Sequence, residues 1–416
     1  MINKRNIEFI NIFLMLIFIY INFSLWFLET SEPIKLILSF ILFVLLYRLN
    51  NKNNNGKLLF YKNSVLFIVM IILLISISCF SNFIFNRIDI FIILRWIIAL
   101  FIVNSISEKD FSKYYIKCMY IISIFSLISY FISLLKPSIF LNFSYFSDSS
   151  WLGPGDHFGL RNAFVSVVDI GSNYRRNWGI FYEPGMFAFY LNLALYLLLF
   201  KSESINKKML LFLSIALITT FSTSGYITFG LMFIALVLKN KKNSVINYMK
   251  NNKKIIFLFI VMIIGVVVFF ITNPNNWLFF SSKFSEIGNK SISNGSGYSR
   301  EKAMYLALEA IKLRPLTGIS SSGISQFFDG NISTFTPLQW FATYGLLYGL
   351  ICNVLLLYYA IDKNEKLLCN IFKYFAIVSM IVSQNMSSNI MIMIIIIYSF
   401  NVLSRRKYDI RNSADL

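Results

Sequence analysis

An all-α integral membrane protein, with about twelve transmembrane helices and two large outward-facing loops, is the fold class this sequence predicts. Three observations carry that prediction. Of 416 residues, 57% are hydrophobic and only 14% charged, more apolar surface than a soluble domain of this length needs for a core. The apolar residues fall in runs of about fifteen to twenty, the length at which a helix rising 1.5 Å per residue crosses ~30 Å of hydrocarbon. The Lys and Arg residues, which give a formal charge of +19, gather in short connections between those runs, as cytoplasmic loops do. The same placement argues against nucleic acid as a partner, because basic residues that bind it cluster on a soluble face or arm.

The first run, 7–27, is too long for a signal-peptide core and no small-residue cleavage pattern follows it, so it is expected to stay as the first span. Further spans are expected at about 34–49, 64–85, 88–103, 116–135, 185–200, 209–221, 225–238, 255–271, 337–361, 374–384 and 389–403. The pair 209–221 and 225–238 is short for two crossings and long for one. Its FSTSG break divides it, since Gly225 can turn the chain and the hydroxyls of Ser222, Thr223 and Ser224 can satisfy backbone groups freed there.

With a cytoplasmic N-terminus, the segments RLNNKNNNGKLLFYK, SEKDFSKYYIK, KSESINKK, KNKKNSVINYMKNNKK and DKNEKLLCNIFK, and the tail RRKYDIR, all face inward. Both termini are then cytoplasmic, and the two long segments 136–184 and 272–336 face outward. The expected organisation is one polytopic domain, 1–416. Cys79, Cys118, Cys352 and Cys369 lie in or at the ends of apolar runs without CxxC spacing, so neither structural disulfides nor zinc is expected.

Function is sought in the two long outward segments, which mix Gly, Asn, Ser, Trp and Tyr with charges, as ordered loops over a site do. The first ends in RRNWGIFYEPG, placing Arg175, Arg176 and Glu183 just before the sixth span. Glu183 precedes Pro184 at a helix start, where the dipole favours a carboxylate. It is either a plain helix-start signal or a base beside basic residues. The second loop contains SREKAMYLALEAIKLRPLTGISSSG, in which 301–313 has an apolar face of Met304, Leu306, Ala307, Ala310 and Ile311, as an amphipathic helix on the membrane would. Arg300 is expected to start that helix, where it opposes the dipole and is better explained by an anionic ligand. Arg314 and Pro315 are expected to end it before the turn around Gly318.

The patterns R-x-x-G-x-F-x-E-P before a span (Arg176, Gly179, Phe181, Glu183, Pro184) and S-R-x(14)-P-L-x-G-x-S (Ser299, Arg300, Pro315, Leu316, Gly318, Ser320) resemble the O-antigen polymerase and O-antigen ligase superfamily. FSTSGY resembles its Ser-Arg-Ser/Gly turn, with Thr223 where many members have Arg, and YGLLYG (Gly345, Gly349) resembles its glycine-spaced helix. Ligases of that superfamily carry a His-Asn pair late in the second loop. The single histidine here, His157, lies in the first loop within GDHFGLRN and reads as an ordinary loop residue. The resemblance is therefore closer to an O-antigen polymerase.

That resemblance implies transfer of a growing glycan from undecaprenyl pyrophosphate to a sugar hydroxyl of another lipid-linked repeat unit, at the outer face of a bacterial inner membrane. It implies catalytic roles for Glu183 as base and for Arg176 and Arg300 on the pyrophosphate, with Arg175, Arg314, Gly318 and Ser320 as substrate-binding residues. The partners implied are undecaprenyl-pyrophosphate-linked oligosaccharide, membrane lipid, a chain-length regulator and a flippase. No cofactor and no metal is expected: the nearest acidic pair, Glu29 and Glu32 in ETSEP, lies in a tight connection. A ligase and, from another class, a lipid-linked oligosaccharide flippase remain alternatives. Arg95 within IILRWIIAL is either an intramembrane functional charge or one held by a neighbour such as Asp89.

Overall fold

A computed structural model describes residues 4–24, 31–50, 62–83, 85–136, 138–139, 145–146, 159–160, 176–239, 296–327, 335–382 and 384–414. They form the helices α1 (Lys4–Phe23), α2 (Glu32–Asn50), α3 (Lys62–Ser81), α4 (Arg87–Ser105), α5 (Glu108–Leu135), α6 (Pro184–Phe200), α7 (Lys207–Thr219), α8 (Thr223–Leu238), α9 (Ser296–Leu313), α10 (Ser320–Phe327), α11 (Thr336–Ala360), α12 (Leu367–Val382) and α13 (Ile390–Ala414). A short antiparallel pair, β1 (Tyr145–Phe146) and β2 (Gly159–Leu160), lies in the first long loop.

Among the described residues, five helices are long and apolar enough to cross a membrane: Asn6–Phe23, Lys62–Ser81, Arg87–Ser105, Glu108–Leu135 and Thr336–Ala360. Shorter apolar helices are Pro184–Phe200, Thr223–Leu238, Leu367–Val382 and Ile390–Ser404. The expected span 255–271 lies outside the described residues. Three boundaries among the described residues differ from expectation by about two helical turns or more: α5 starts at Glu108 rather than 116, α12 at Leu367 rather than 374, and α13 runs on to Ala414 beyond 403. The inward segment SEKDFSKYYIK was expected as a connection but is helical from Glu108, because its Phe111, Tyr114 and Tyr115 bury against the protein. Tertiary packing there outweighs the local charge density.

The chain divides into two compact units. The first comprises Met1–Lys35, Lys109–Ser282 and Glu365–Phe372. Its α6 is apolar all round and buried along nearly its whole length, the signature of a helix enclosed by others. Tyr115 of α5 donates to the Tyr190 carbonyl at 3.1 Å and Asn192 donates to the Gly225 carbonyl at 3.1 Å, which ties α6 to α5 and α8. Glu8 on α1 pairs with Lys113 and Lys117 of α5. Asn206 caps α7, accepting from the Lys208 and Met209 amides.

The second unit comprises Leu36–Glu108, Lys283–Asn364 and Lys373–Leu416. Here α11 runs beside α3, α9, α10 and α13, with α4 packed on α13. Phe67 stacks on Phe400 at 4.5 Å, Ser64 donates to Asn401 at 2.6 Å and Tyr398 donates to the Ile106 carbonyl at 2.8 Å. Arg95 donates to the hydroxyl and carbonyl of Ser388 at 2.7 and 3.3 Å. Asp89, one candidate neighbour for Arg95 in the sequence, accepts from Tyr344 at 2.9 Å.

Candidate functional site

The end of the first loop belongs to the first unit, and each residue of its motif has a local task. Arg176 donates from Nε to the Thr220 carbonyl at 2.9 Å and from Nη2 to the Phe221 carbonyl at 3.0 Å. These carbonyls lie where α7 ends, so the guanidinium closes a helix C-terminus whose acceptors have no partner within the helix. Asn177 extends the junction: its amide donates to the Thr219 carbonyl at 2.9 Å, and its side chain to the Thr219 and Ser126 hydroxyls at 2.9 and 3.3 Å. The FSTSG segment divides the pair as expected, with Ser222 capping α8 by accepting from the Gly225 amide. Gly225, expected to turn the chain, lies instead in the first turn of α8, and the turn falls at 220–222, with Phe221 at φ 48°, where it also anchors the loop.

Phe181 is fully buried, stacking on Tyr190 at 4.6 Å and on Phe187 at 5.4 Å. Pro184 then opens α6, with Glu183 at the cap position in extended conformation (φ −155°, ψ 156°). Its side chain makes no capping hydrogen bond to α6. Burial, with the Glu183 carboxylate adding to it, pushes the adjacent Tyr182 phenol up.

The motif of the second loop belongs to the second unit. The helix begins earlier than expected, at Ser296, so Arg300 sits a turn inside α9 rather than at its start. The helix-dipole argument for Arg300 loses force there, since the effect fades within the first turn. The apolar face also differs. Ala303, Ala307 and Ala310 are buried, with Leu306 and Ile311 beside them, against Ile324 of α10 and Ala342 of α11. Met304, expected on that face, is instead exposed. Small residues at positions 303, 307 and 310 let two helix backbones approach closely.

After α9 the segment 314–320 inserts into a kink of α11. At the kink, Gly345 has φ 84° and ψ −179°, a conformation reserved for glycine. A Cβ at Gly345 would lie 2.0 Å from the Leu316 carbonyl oxygen, and one at Gly318 (φ +69°) would lie 2.4 Å from the Thr343 oxygen. The backbone groups that the kink would otherwise leave unpaired are taken up by the turn: Ile319 N–H donates to the Ala342 carbonyl at 2.9 Å and Leu346 N–H to the Pro315 carbonyl at 2.8 Å. The glycines of PLTGIS and YGLLYG thus belong to one interlocked structure. Ser320 is buried with a left-handed φ of 64° and starts α10, where its hydroxyl accepts from the Gly323 amide.

Sequence reasoning missed the C-terminal end of α3. Asn82 donates to the Gly318 carbonyl at 3.0 Å, Ser78 to the Thr343 carbonyl at 3.0 Å, and Arg314 to the Ser81 carbonyl at 2.6 Å. In SCFSN only small polar residues closing a span hint at this role. Arg175 and His157 lie outside the described residues, as does the side chain of Arg300.

Apolar helices on this scale, with an anchored loop end in one unit and an interlocked turn in the other, define a multi-pass membrane protein that carries polar motifs at helix ends. Residues 209–352 match the O-antigen ligase family. The match supports the O-antigen polymerase and ligase superfamily. It runs from α7 through the turn and kink, and stops short of Arg176 and Glu183. No curated protein and no solved structure matches the chain.

Proposed function

We propose that this chain is a membrane glycosyltransferase that polymerises oligosaccharide repeat units carried on undecaprenyl pyrophosphate, at the outer face of a bacterial inner membrane. In the reaction, the sugar–phosphate bond of one lipid-linked glycan breaks and a glycosidic bond forms to a hydroxyl of the next unit. The hydroxyl proton goes to a base, and undecaprenyl pyrophosphate departs with the electron pair. Glu183 is the proposed base, and the observation that carries the reading is its place at the start of buried α6, in the loop end that Arg176 and Phe181 anchor. The departing pyrophosphate needs fixed cationic and N–H donors. Arg300, Arg314 and the serine-rich start of α10 around Ser320 are proposed for this, because a helix N-terminus favours an anion. Arg176 and Arg175 are proposed to assist. Both termini and the 239–254 connection are proposed to be cytoplasmic, with a chain-length regulator and a flippase as partners in the same membrane.

The family that residues 209–352 match accommodates a ligase as well as a polymerase, and the second loop's lack of a His-Asn pair favours the polymerase. One experiment separates them. Purified protein in proteoliposomes is given lipid-linked repeat units alone, then with lipid A core acceptor. A polymerase yields a ladder of longer lipid-linked glycans from the units alone. A product formed only with the core acceptor would replace this proposal with the ligase.

A further inference from the structure

The turn 314–320 is held from two directions. Two backbone hydrogen bonds join it to α11, at Ala342 and Leu346. The second hold comes from just past the C-terminal end of α3, where the Asn82 amide donates to the Gly318 carbonyl at 3.0 Å and to the Ser78 carbonyl at 2.7 Å. A primary amide has two N–H donors, which allows one group to bridge a helix-terminal carbonyl and a turn carbonyl. Ser78 in turn donates to the Thr343 carbonyl, beside the kink. Gly318 has no slack in which to reorient, because its α-carbon lies against Thr343 and Gly345.

From this geometry we infer that Asn82 is a positioning residue: it locks the 314–320 turn onto kinked α11 and so fixes Arg314 and the start of α10 where the leaving group is held. The inference rests on the proposed function for its catalytic consequence, though not for the lock itself. Asn82→Asp keeps the size but removes the donors and sets a carboxylate against a carbonyl. Asn82→Gln keeps the donors on a longer arm.

The test uses the full chain in nanodiscs with a cysteine placed at the half-buried Ile319, read by maleimide labelling. The native cysteines Cys79, Cys118, Cys352 and Cys369 are all buried and contribute little background. Asn82→Asp and Asn82→Ala are expected to raise the labelling rate at position 319 by about 2- to 10-fold, the equivalent of one hydrogen bond. Asn82→Gln is expected to restore part of the protection, and Cys352 to stay unreactive. In the polymer assay, without the added cysteine, kcat is expected to fall while KM for lipid-linked units holds. Unchanged labelling at 319 would overturn the lock. Parallel exposure of Cys352 would overturn it in favour of general loosening. Faster labelling with kcat unaltered would leave the lock standing, but would overturn its role in the reaction and the placement of the leaving group at this turn.

Discussion

The two motif regions solve the same problem, fixing an irregular segment at the end of an apolar helix, by opposite means. At the end of the first loop, side chains do most of the holding: the Arg176 guanidinium satisfies two carbonyls where α7 ends, the Asn177 side chain reaches the Thr219 hydroxyl, and Phe181 is clamped between rings. At the turn of the second loop, backbone holds backbone through two glycines that admit the approach, and the side chains that lock it come from α3. An arginine or asparagine in a motif can thus be structural, while a glycine can matter as much as a charge. Glu183 stands out in the first region as a carboxylate at the start of a buried apolar helix.

The largest effect that would test this contrast is on Glu183. Glu183→Gln removes a base, and turnover is expected to fall about 10²- to 10⁴-fold. Membrane protein levels should hold, because a carboxylate at a helix start contributes only about 0.3 to 1 kcal/mol. Polymer yield at matched protein level is the measurement, and normal yield would remove Glu183 from the reaction.

Next in size is Gly345→Ala. The backbone conformation alone costs about 1–3 kcal/mol for a residue with a Cβ, and the overlap with the Leu316 carbonyl adds to that. Thermal unfolding in detergent should show a large loss of stability, with the turn displaced. An alanine variant as stable as the parent would mean that the kink is not fixed by the glycine.

Arg176→Ala should cost about 1.5–3 kcal/mol, the range for a hydrogen bond to a charged group. Arg176→Lys should recover little of it, since an ammonium lacks the fork that reaches both carbonyls. If Arg176 also serves the leaving group, the lysine variant will lose turnover beyond its loss of folded protein. If its role ends at α7, activity will track folded protein in both variants.

The smallest expected change is at the other end of the same helix. Asn206→Ala removes a cap that accepts from two amides, and about 1 kcal/mol of stability with it. Turnover per folded molecule should not change. A loss of turnover there would show that α7 transmits strain to the anchored loop.

Much of this was legible in the sequence because it follows from short-range chemistry. Apolar runs locate helices wherever the solvent is hydrocarbon, Pro184 and the serines of FSTSG mark helix starts, and the glycines of PLTGIS and YGLLYG stand where only glycine fits. Other features depended on residues far apart in the chain. Met304 and Ala303 are both apolar, and α11 selects the alanine because close helix packing favours the smaller side chain. Glu108 starts a helix because Phe111 and Tyr115 find a buried place, which charge counting along the chain does not register. The partners of Arg176, Asp89 and Asn82 lie about 40, 250 and 240 positions away. Local sequence sets which backbone groups a helix end leaves unsatisfied, and tertiary structure alone decides which distant side chain satisfies them.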